Sequence, residues 1–211
     1  MTSAAWILLA ASALIAALDW VAVGTDIRWL EYATKPGFML GLIAVAIAMH
    51  PANPAERNFF LIALALGLVS DVFLMLRRDL FVAGLAAALV EHLAYISGFR
   101  TRPLHLGALL IAAAVALISV AIFYPPIDRA LRRQSPRLVA PVIAYVTIFV
   151  LMVASAGGSG SPIALAGALL FFYSDAILAW NKFVSPLPAG RVVNIVPYHL
   201  GEALLVLSLA T

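Results

Sequence analysis

Ser70-Asp71-Val72-Phe73-Leu74 and Ser174-Asp175-Ala176-Ile177-Leu178 are near copies of one phrase. Each sits inside an apolar run long enough to cross a bilayer, about residues 58–76 and 162–180. A carboxylate in hydrocarbon is costly, so an ionisable residue within such a run is by default a functional group and not a packing choice. Two such residues in matching contexts make the rest of the chain a question of how they are housed.

The composition agrees with a membrane setting. Of 211 residues, 64% are hydrophobic and 11% charged, against roughly 25% charged in a soluble domain. A soluble protein of this size has no core large enough to hide so much apolar surface. The longest polar stretch, Tyr124 to Arg137, leaves no room for a separate soluble domain, so residues 1–211 read as a single transmembrane domain. No cysteine is present, which excludes disulfides and thiol-based zinc or redox chemistry. The opening residues, Met1 to Trp6, lack the basic region of a signal peptide, and the first apolar run is expected to be a retained span.

A membrane helix needs about 20 apolar residues. Eight runs qualify, near 4–23, 32–49, 58–76, 80–98, 104–123, 138–154, 162–180 and 192–210, with prolines between most of them. The predicted fold is therefore an all-α integral membrane protein, a bundle of eight transmembrane helices. Runs three and four are separated only by Arg77-Arg78-Asp79, which predicts a tight antiparallel hairpin.

The basic residues orient the bundle. Odd-numbered loops carry Arg28, Lys35, Arg77, Arg78, Arg129, Arg132, Arg133, Arg137, Lys182 and Arg191, whereas even-numbered loops carry Arg57, Arg100 and Arg102, together all 13 lysines and arginines. By the positive-inside rule the odd loops face the cytoplasm and both termini face outward. Trp20, Trp29 and Trp180 near the cytoplasmic ends and Trp6 near the outer end read as interfacial anchors.

At 1.5 Å per residue, Asp71 and Asp175 lie roughly 8 Å in from the cytoplasmic ends of their helices, and Glu91 and His92 about 17 Å up helix four. Tyr198, His199 and Glu202 lie in the same inner half on helix eight. Asp19 and Lys35 are near the cytoplasmic surface, where each has the length to reach the interface. All of these are expected to share one cavity open to the cytoplasm. Glu91, His92 and Tyr95 share a helix face at spacings of three and four, and Tyr198, His199 and Glu202 repeat that spacing. Asp71 to Asp175 is 104 residues and His92 to His199 is 107, which suggests a 4+4 parallel repeat.

Carboxyl groups in one buried site can hold different protonation states, the requirement for paired acid and base work. Ser70 and Ser174 are more often backbone-bonded hydroxyls than nucleophiles, and no serine-histidine-acid spacing is present. With no close pair of histidines, neither a metal nor another cofactor is expected.

The chain resembles the YhhN family of membrane lysoplasmalogenases. The resemblance rests on Ala33-Thr34-Lys35-Pro36, on Gly67 to Met75 around Ser70-Asp71, on Glu91-His92-Leu93-Ala94-Tyr95, and on Gly167 to Ala179 around Ser174-Asp175. In helix eight the chain departs from the family's usual two tyrosines and glutamine with Tyr198, His199 and Glu202. The resemblance implies hydrolysis of the vinyl ether of lysoplasmenyl-ethanolamine or -choline to a fatty aldehyde and a glycerophospho-alcohol. It also implies Asp71 and Asp175 as catalytic acid and base, with Glu91, His92, Tyr95, Ser70, Ser174, Tyr198, His199 and Glu202 positioning water or substrate. Lys35 and Asn181 are expected at the phosphate. The implied partners are a lysophospholipid substrate and membrane lipids, not nucleic acid. The expected location is a bacterial inner membrane with the site in the cytoplasmic leaflet. Two rival readings are a hydrolase of another ether or ester lysolipid and a small proton-coupled transporter, since repeated halves with midplane carboxylates also mark transporters.

Overall fold

The computed structural model describes residues 1–76 and 80–211. Among them are eight long helices and no strand: α1 (Ser3–Gly24), α2 (Arg28–Ala48), α3 (Pro54–Met75), α4 (Phe81–Phe99), α5 (Leu106–Gln134), α6 (Val139–Gly158), α7 (Pro162–Phe183) and α8 (Gly190–Ser208). The Arg77-Arg78-Asp79 connection expected to close a hairpin lies outside the described residues.

Local chemistry sets the helix starts. Thr2, Asn53 and Ser161 each accept a hydrogen bond from a first-turn N–H of α1, α3 and α7, and Pro54 and Pro162 occupy first helical positions, where a missing N–H costs nothing. Gly160, with φ of 76°, supplies the left-handed residue that lets the chain reverse between α6 and α7.

Seven helices are long and apolar enough to cross a membrane. The eighth, α8, falls short of that apolarity because it carries Asn194, Tyr198, His199 and Glu202, and it keeps Tyr198, His199 and Glu202 buried inside the bundle. The largest departure from the predicted boundaries is α5, expected over 104–123 but continuing through Pro125 and Pro126 to Gln134. Those prolines leave the carbonyls one turn earlier without their helical donors. The extension past them is amphipathic, with Arg132 Nε 2.7 Å from Asp128 Oδ2 one turn away, while Ile127 and Leu131 pack on Val142 and Phe183. The stretch Tyr124 to Arg137 is thus mostly helix and not a polar loop.

Sequential helices pair as antiparallel hairpins, α1 with α2, α3 with α4, α5 with α6 and α7 with α8. Around the interior α2 meets α3, α4 meets α6, α6 meets α7, and α8 meets α2, while α1 and α5 lie outside against α2 and α8 and against α6 and α7. Helices α7 and α8 cross closely: a Cβ on Gly167 would stand 2.8 Å from Gly201 O, and one on Gly201 would stand 2.9 Å from Gly167 O. Only glycine permits that approach.

The two ends of the bundle differ. At one, Thr2 Oγ1 donates to Ala48 O at 2.7 Å, Ala52 N to Leu209 O at 2.8 Å and His105 N to Gly158 O at 2.8 Å. There too Arg102 links buried Glu56, at 2.7 Å, to Ser208 O, at 2.7 Å. Both termini therefore lie at this end, which the ties close. At the other end Arg191 joins the α1–α2 turn to α8 through Asp26, at 2.7 Å, and Glu31, at 2.5 Å.

Candidate active site

A cavity of about 510 Å³ runs from this second end inward. Its outer part is lined by Arg28, Glu31 and Arg191, its inner part by Lys35, Asp71, Glu91, Tyr145, Asp175 and Tyr198. An apolar branch passes between α6 and α7 to α5 and is walled by side chains that include Val120, Phe123, Ile127, Val146, Phe149 and Phe172.

The two aspartates sit in different company. Asp71 accepts from two elements: Lys35 Nζ of α2 is 2.8 Å from Oδ1, and the Tyr198 hydroxyl of α8 donates to Oδ2 at 2.6 Å. The lysine also lies 5.3 Å from the centre of the Tyr198 ring, so cation, phenol and carboxylate form one packed unit. Asp175 Oδ2 accepts from the Tyr145 hydroxyl of α6, and Tyr145 is in turn 3.0 Å from His92 Nε2 on α4. His92 is held by rings, with Phe149 at 4.0 Å and Phe171 at 5.1 Å between centroids. One carboxyl thus faces a cation and a phenol, the other a phenol backed by an imidazole.

Behind the cavity floor lies a third acidic group. Tyr95 donates to Glu202 Oε2 at 2.6 Å. The Oε1 atoms of Glu91 and Glu202 each have no donor among the described residues. Gly67 makes room for this arrangement, since a Cβ there would stand 2.5 Å from Glu91 Oε1.

The other predicted residues are placed as follows. The Ser70 and Ser174 hydroxyls tie neighbouring helices by donating to Gly84 O and Asn194 O, each at 2.9 Å. His199 is not in the cavity: its Nδ1 accepts from Trp20 Nε1 at 3.0 Å, which puts its proton on Nε2, 3.8 Å from Asp19 Oδ2. Asp19, expected near the interface, is fully buried and accepts from Thr34 at 2.5 Å. Trp20 is correspondingly a partner of His199 and not a simple anchor. Asn181 reaches the cavity wall, but its amide holds the α7–α8 turn, donating to Gly190 O at 3.0 Å and accepting from Leu187 N at 2.9 Å.

Tyr145 is the residue that sequence reasoning passed over. Its only signal was being one of the few polar groups on α6. Arg28 and Arg191 were read only as loop charges, and Glu31 and Asn194 were not singled out, because nothing in their spacing reveals that three helix ends converge on one opening.

The model of the YhhN family matches residues 30–209, which takes in every group just described on α2 to α8 except Arg28. The chain belongs to the YhhN family. Proteins similar to this YhhN chain include Lysoplasmalogenase TMEM86B of Homo sapiens, 35% identical over 132 residues, with 61% of the chain and 53% of the relative aligned. Lysoplasmalogenase TMEM86B of Mus musculus is 34% identical over 172 residues, 79% of the chain and 71% of the relative. Lysoplasmalogenase TMEM86A of Homo sapiens is 31% identical over 173 residues, 80% and 72% respectively. The YhhN chain thus spans about half the length of the human TMEM86B protein that it matches. No solved structure matches it.

Proposed function

We propose that this protein is a membrane-embedded lysoplasmalogenase, hydrolysing the vinyl ether of lysoplasmenyl-ethanolamine or -choline to a fatty aldehyde and a glycerophospho-alcohol. The observation that carries the reading is the pair of aspartates opening on one cavity in unlike surroundings, Asp71 on Lys35 and Tyr198, Asp175 on Tyr145 and His92. The named relatives and the apolar branch, which suits an alkenyl chain, support it.

Vinyl ether hydrolysis starts with proton transfer to the alkene carbon one removed from oxygen. In our reading Asp175 gives that proton, with Tyr145 and His92 steadying its carboxyl. The oxocarbenium ion left at the ether carbon lies against the Asp71 carboxylate, which Lys35 and Tyr198 hold in place. Water adds to that carbon as the catalytic carboxylates take up its proton. The hemiacetal then collapses: its hydroxyl hydrogen leaves, the glycerol oxygen gains a hydrogen, and aldehyde and alcohol separate. One water is consumed and no net proton. Glu91 and Glu202, with Tyr95, frame the floor. Ser70 and Ser174 fix the helices that carry the aspartates, and His199 backs α8 from the far side.

We further read the bundle as a single domain of two parallel four-helix halves. The packing of α2 on α3 is matched by α6 on α7, and that of α4 on α6 by α8 on α2. Ser70 and Ser174 each donate to a carbonyl of the following helix, and each aspartate takes a phenol from another helix. The charge bias of the loops supports a reading with the cavity mouth in the cytoplasm and both termini outside, in a bacterial inner membrane with the lipid entering from the cytoplasmic leaflet.

The test is product analysis by mass spectrometry with purified protein in detergent micelles, which hold no gradient for a transporter to use. Lysoplasmenyl-ethanolamine is the substrate, and the matching ester lysolipid runs in parallel. The parent is expected to release aldehyde, and Asp71→Asn and Asp175→Asn to lose at least about a hundredfold of that rate. Folded parent protein that releases none overturns the vinyl ether reading. A variant with full turnover removes its aspartate from the chemistry.

A further inference from the structure

The cavity mouth holds a set of charges that the proposed chemistry leaves idle. Arg28 and Arg191 both line it, the first opening α2 and the second in the first turn of α8. They are joined through Asp26 and Glu31: Arg191 reaches Asp26 at 2.7 Å and Glu31 at 2.5 Å, and Arg28 reaches Asp26 at 3.4 Å. Asp26 is held there by a left-handed backbone, φ 56°, a conformation that aspartate tolerates better than most residues. The two guanidiniums are half exposed, at 50% and 43%, Asp26 is 73% exposed and Glu31 is 11% exposed. Among the described residues this is a cluster of two cations and two anions in which both guanidiniums and Asp26 are accessible and Glu31 is the buried member.

We propose that this mouth is the headgroup subsite of the substrate, with Arg28 and Arg191 taking the phosphate and Glu31 the amine of a zwitterionic lysolipid. The inference rests on the lipid hydrolase reading and adds what recognises the headgroup. Guanidinium forks match phosphate oxygens two at a time, and the first-turn N–H groups of α2 and α8 add positive potential at the same opening. A cluster that sets guanidiniums beside carboxylates complements a phosphate linked to an ammonium better than it does a bare anion. The register also fits. Arg28, Glu31 and Lys35 follow one another at intervals of three and four on α2, so they form a single stripe leading inward. Arg28 and Lys35 are about 10 Å apart along the axis, a gap that a glycerol backbone and an extended arginine together close. With the phosphate at the mouth, the sn-1 oxygen falls beside Lys35 and Asp71 and the chain enters the apolar branch. Lys35 and Asn181, the residues expected at the phosphate from sequence, are engaged by Asp71 and by the α7–α8 turn instead.

The experiment compares two substrates on the purified full chain in micelles: lysoplasmenyl-ethanolamine, and the 1-alkenylglycerol that carries the same vinyl ether and no phosphate. The quantity read is the ratio of their kcat/KM values, which general damage to the enzyme leaves alone. Arg191→Ala and Arg28→Ala are each expected to lower the ratio roughly tenfold to hundredfold, the worth of a charge-assisted hydrogen bond. Glu31→Gln should lower the preference for the ethanolamine lipid over the same lipid ending at phosphate. Arg28→Ala guards against misfolding, because its 3.4 Å contact is the looser one, and Arg191→Lys, which keeps the charge and loses the fork, should fall between alanine and parent. An unchanged ratio in both alanine variants overturns the subsite and leaves the cluster a tie between α1, α2 and α8. Absence of aldehyde from both substrates with the parent overturns the hydrolase reading. Binding of 1-O-alkyl-lysophosphoethanolamine to parent and Arg191→Ala then reads the subsite alone, and equal binding refutes it.

Discussion

At the residue scale the pairing of Lys35 with Asp71 separates two kinds of importance. The side chains are 15% and 6% exposed, so removing one partner strands the other in a low-dielectric interior. Breaking such a pair costs about 3 kcal/mol, whereas replacing both partners by groups of similar size is nearly neutral. Lys35→Met is therefore expected to lower the melting temperature in detergent, and Lys35→Met with Asp71→Asn to recover most of the loss while aldehyde release stays abolished. Thermal unfolding and product analysis on the same preparations check this. A double variant as unstable as the single one would show that the pair is not the unit of stability. Restored turnover in it would remove Asp71 from the chemistry.

The element scale shows what was legible and what was not. The eight helices were readable because hydropathy over a bilayer width is a coarse, cumulative signal, and both Ser-Asp phrases stood out because a carboxylate in such a run is conspicuous. The run at 104–123 misjudged α5, since two adjacent prolines are a strong stop in sequence while the amphipathic turns beyond them are held by contacts with α6 and α7. Tyr145 was invisible as a partner of Asp175 because a tyrosine on an apolar helix looks the same whether it faces lipid or a carboxyl. Pairings across 30 to 127 residues, such as Tyr145 with Asp175 and Tyr198 with Asp71, depend on helix rotation. Periodicity alone does not set it. The glycines of α7 and α8 do, because they fix how near the two helices come. A side chain at Gly201 meets Gly167 O and Phe171 N, each 2.9 Å from its Cβ. Gly201→Val is expected to push α8 off α7, cost about 2 kcal/mol and depress turnover by shifting Tyr198, three residues away, from Asp71. Gly107→Ala, which meets nothing within 4 Å, should melt like the parent. Equal melting of the two variants would mean that α8 is not held by this crossing.

At the scale of the whole molecule the two ends have different duties. One is tied shut through Thr2, Asn53, Arg102 and the last turn of α8, and carries both termini. The other opens into the cavity and carries the charged mouth. Orientation therefore decides which leaflet would supply the lipid of the proposed reaction, and the charge bias of the loops favours a mouth in the cytoplasm. The chain has no cysteine, so single cysteines report on sidedness without interference. Ala52, in the turn between α2 and α3, and Ser185, in the turn between α7 and α8, are both exposed and lie at opposite ends. In intact cells of a bacterial host, a membrane-impermeant maleimide is expected to label Ala52→Cys and to spare Ser185→Cys until the inner membrane is opened. The reverse pattern would place the mouth outside and make the periplasmic leaflet the source of substrate. Labelling of both sites in intact cells would mean that one end is not separated from the other by the bilayer, which would refute a bundle that spans the membrane from one end to the other.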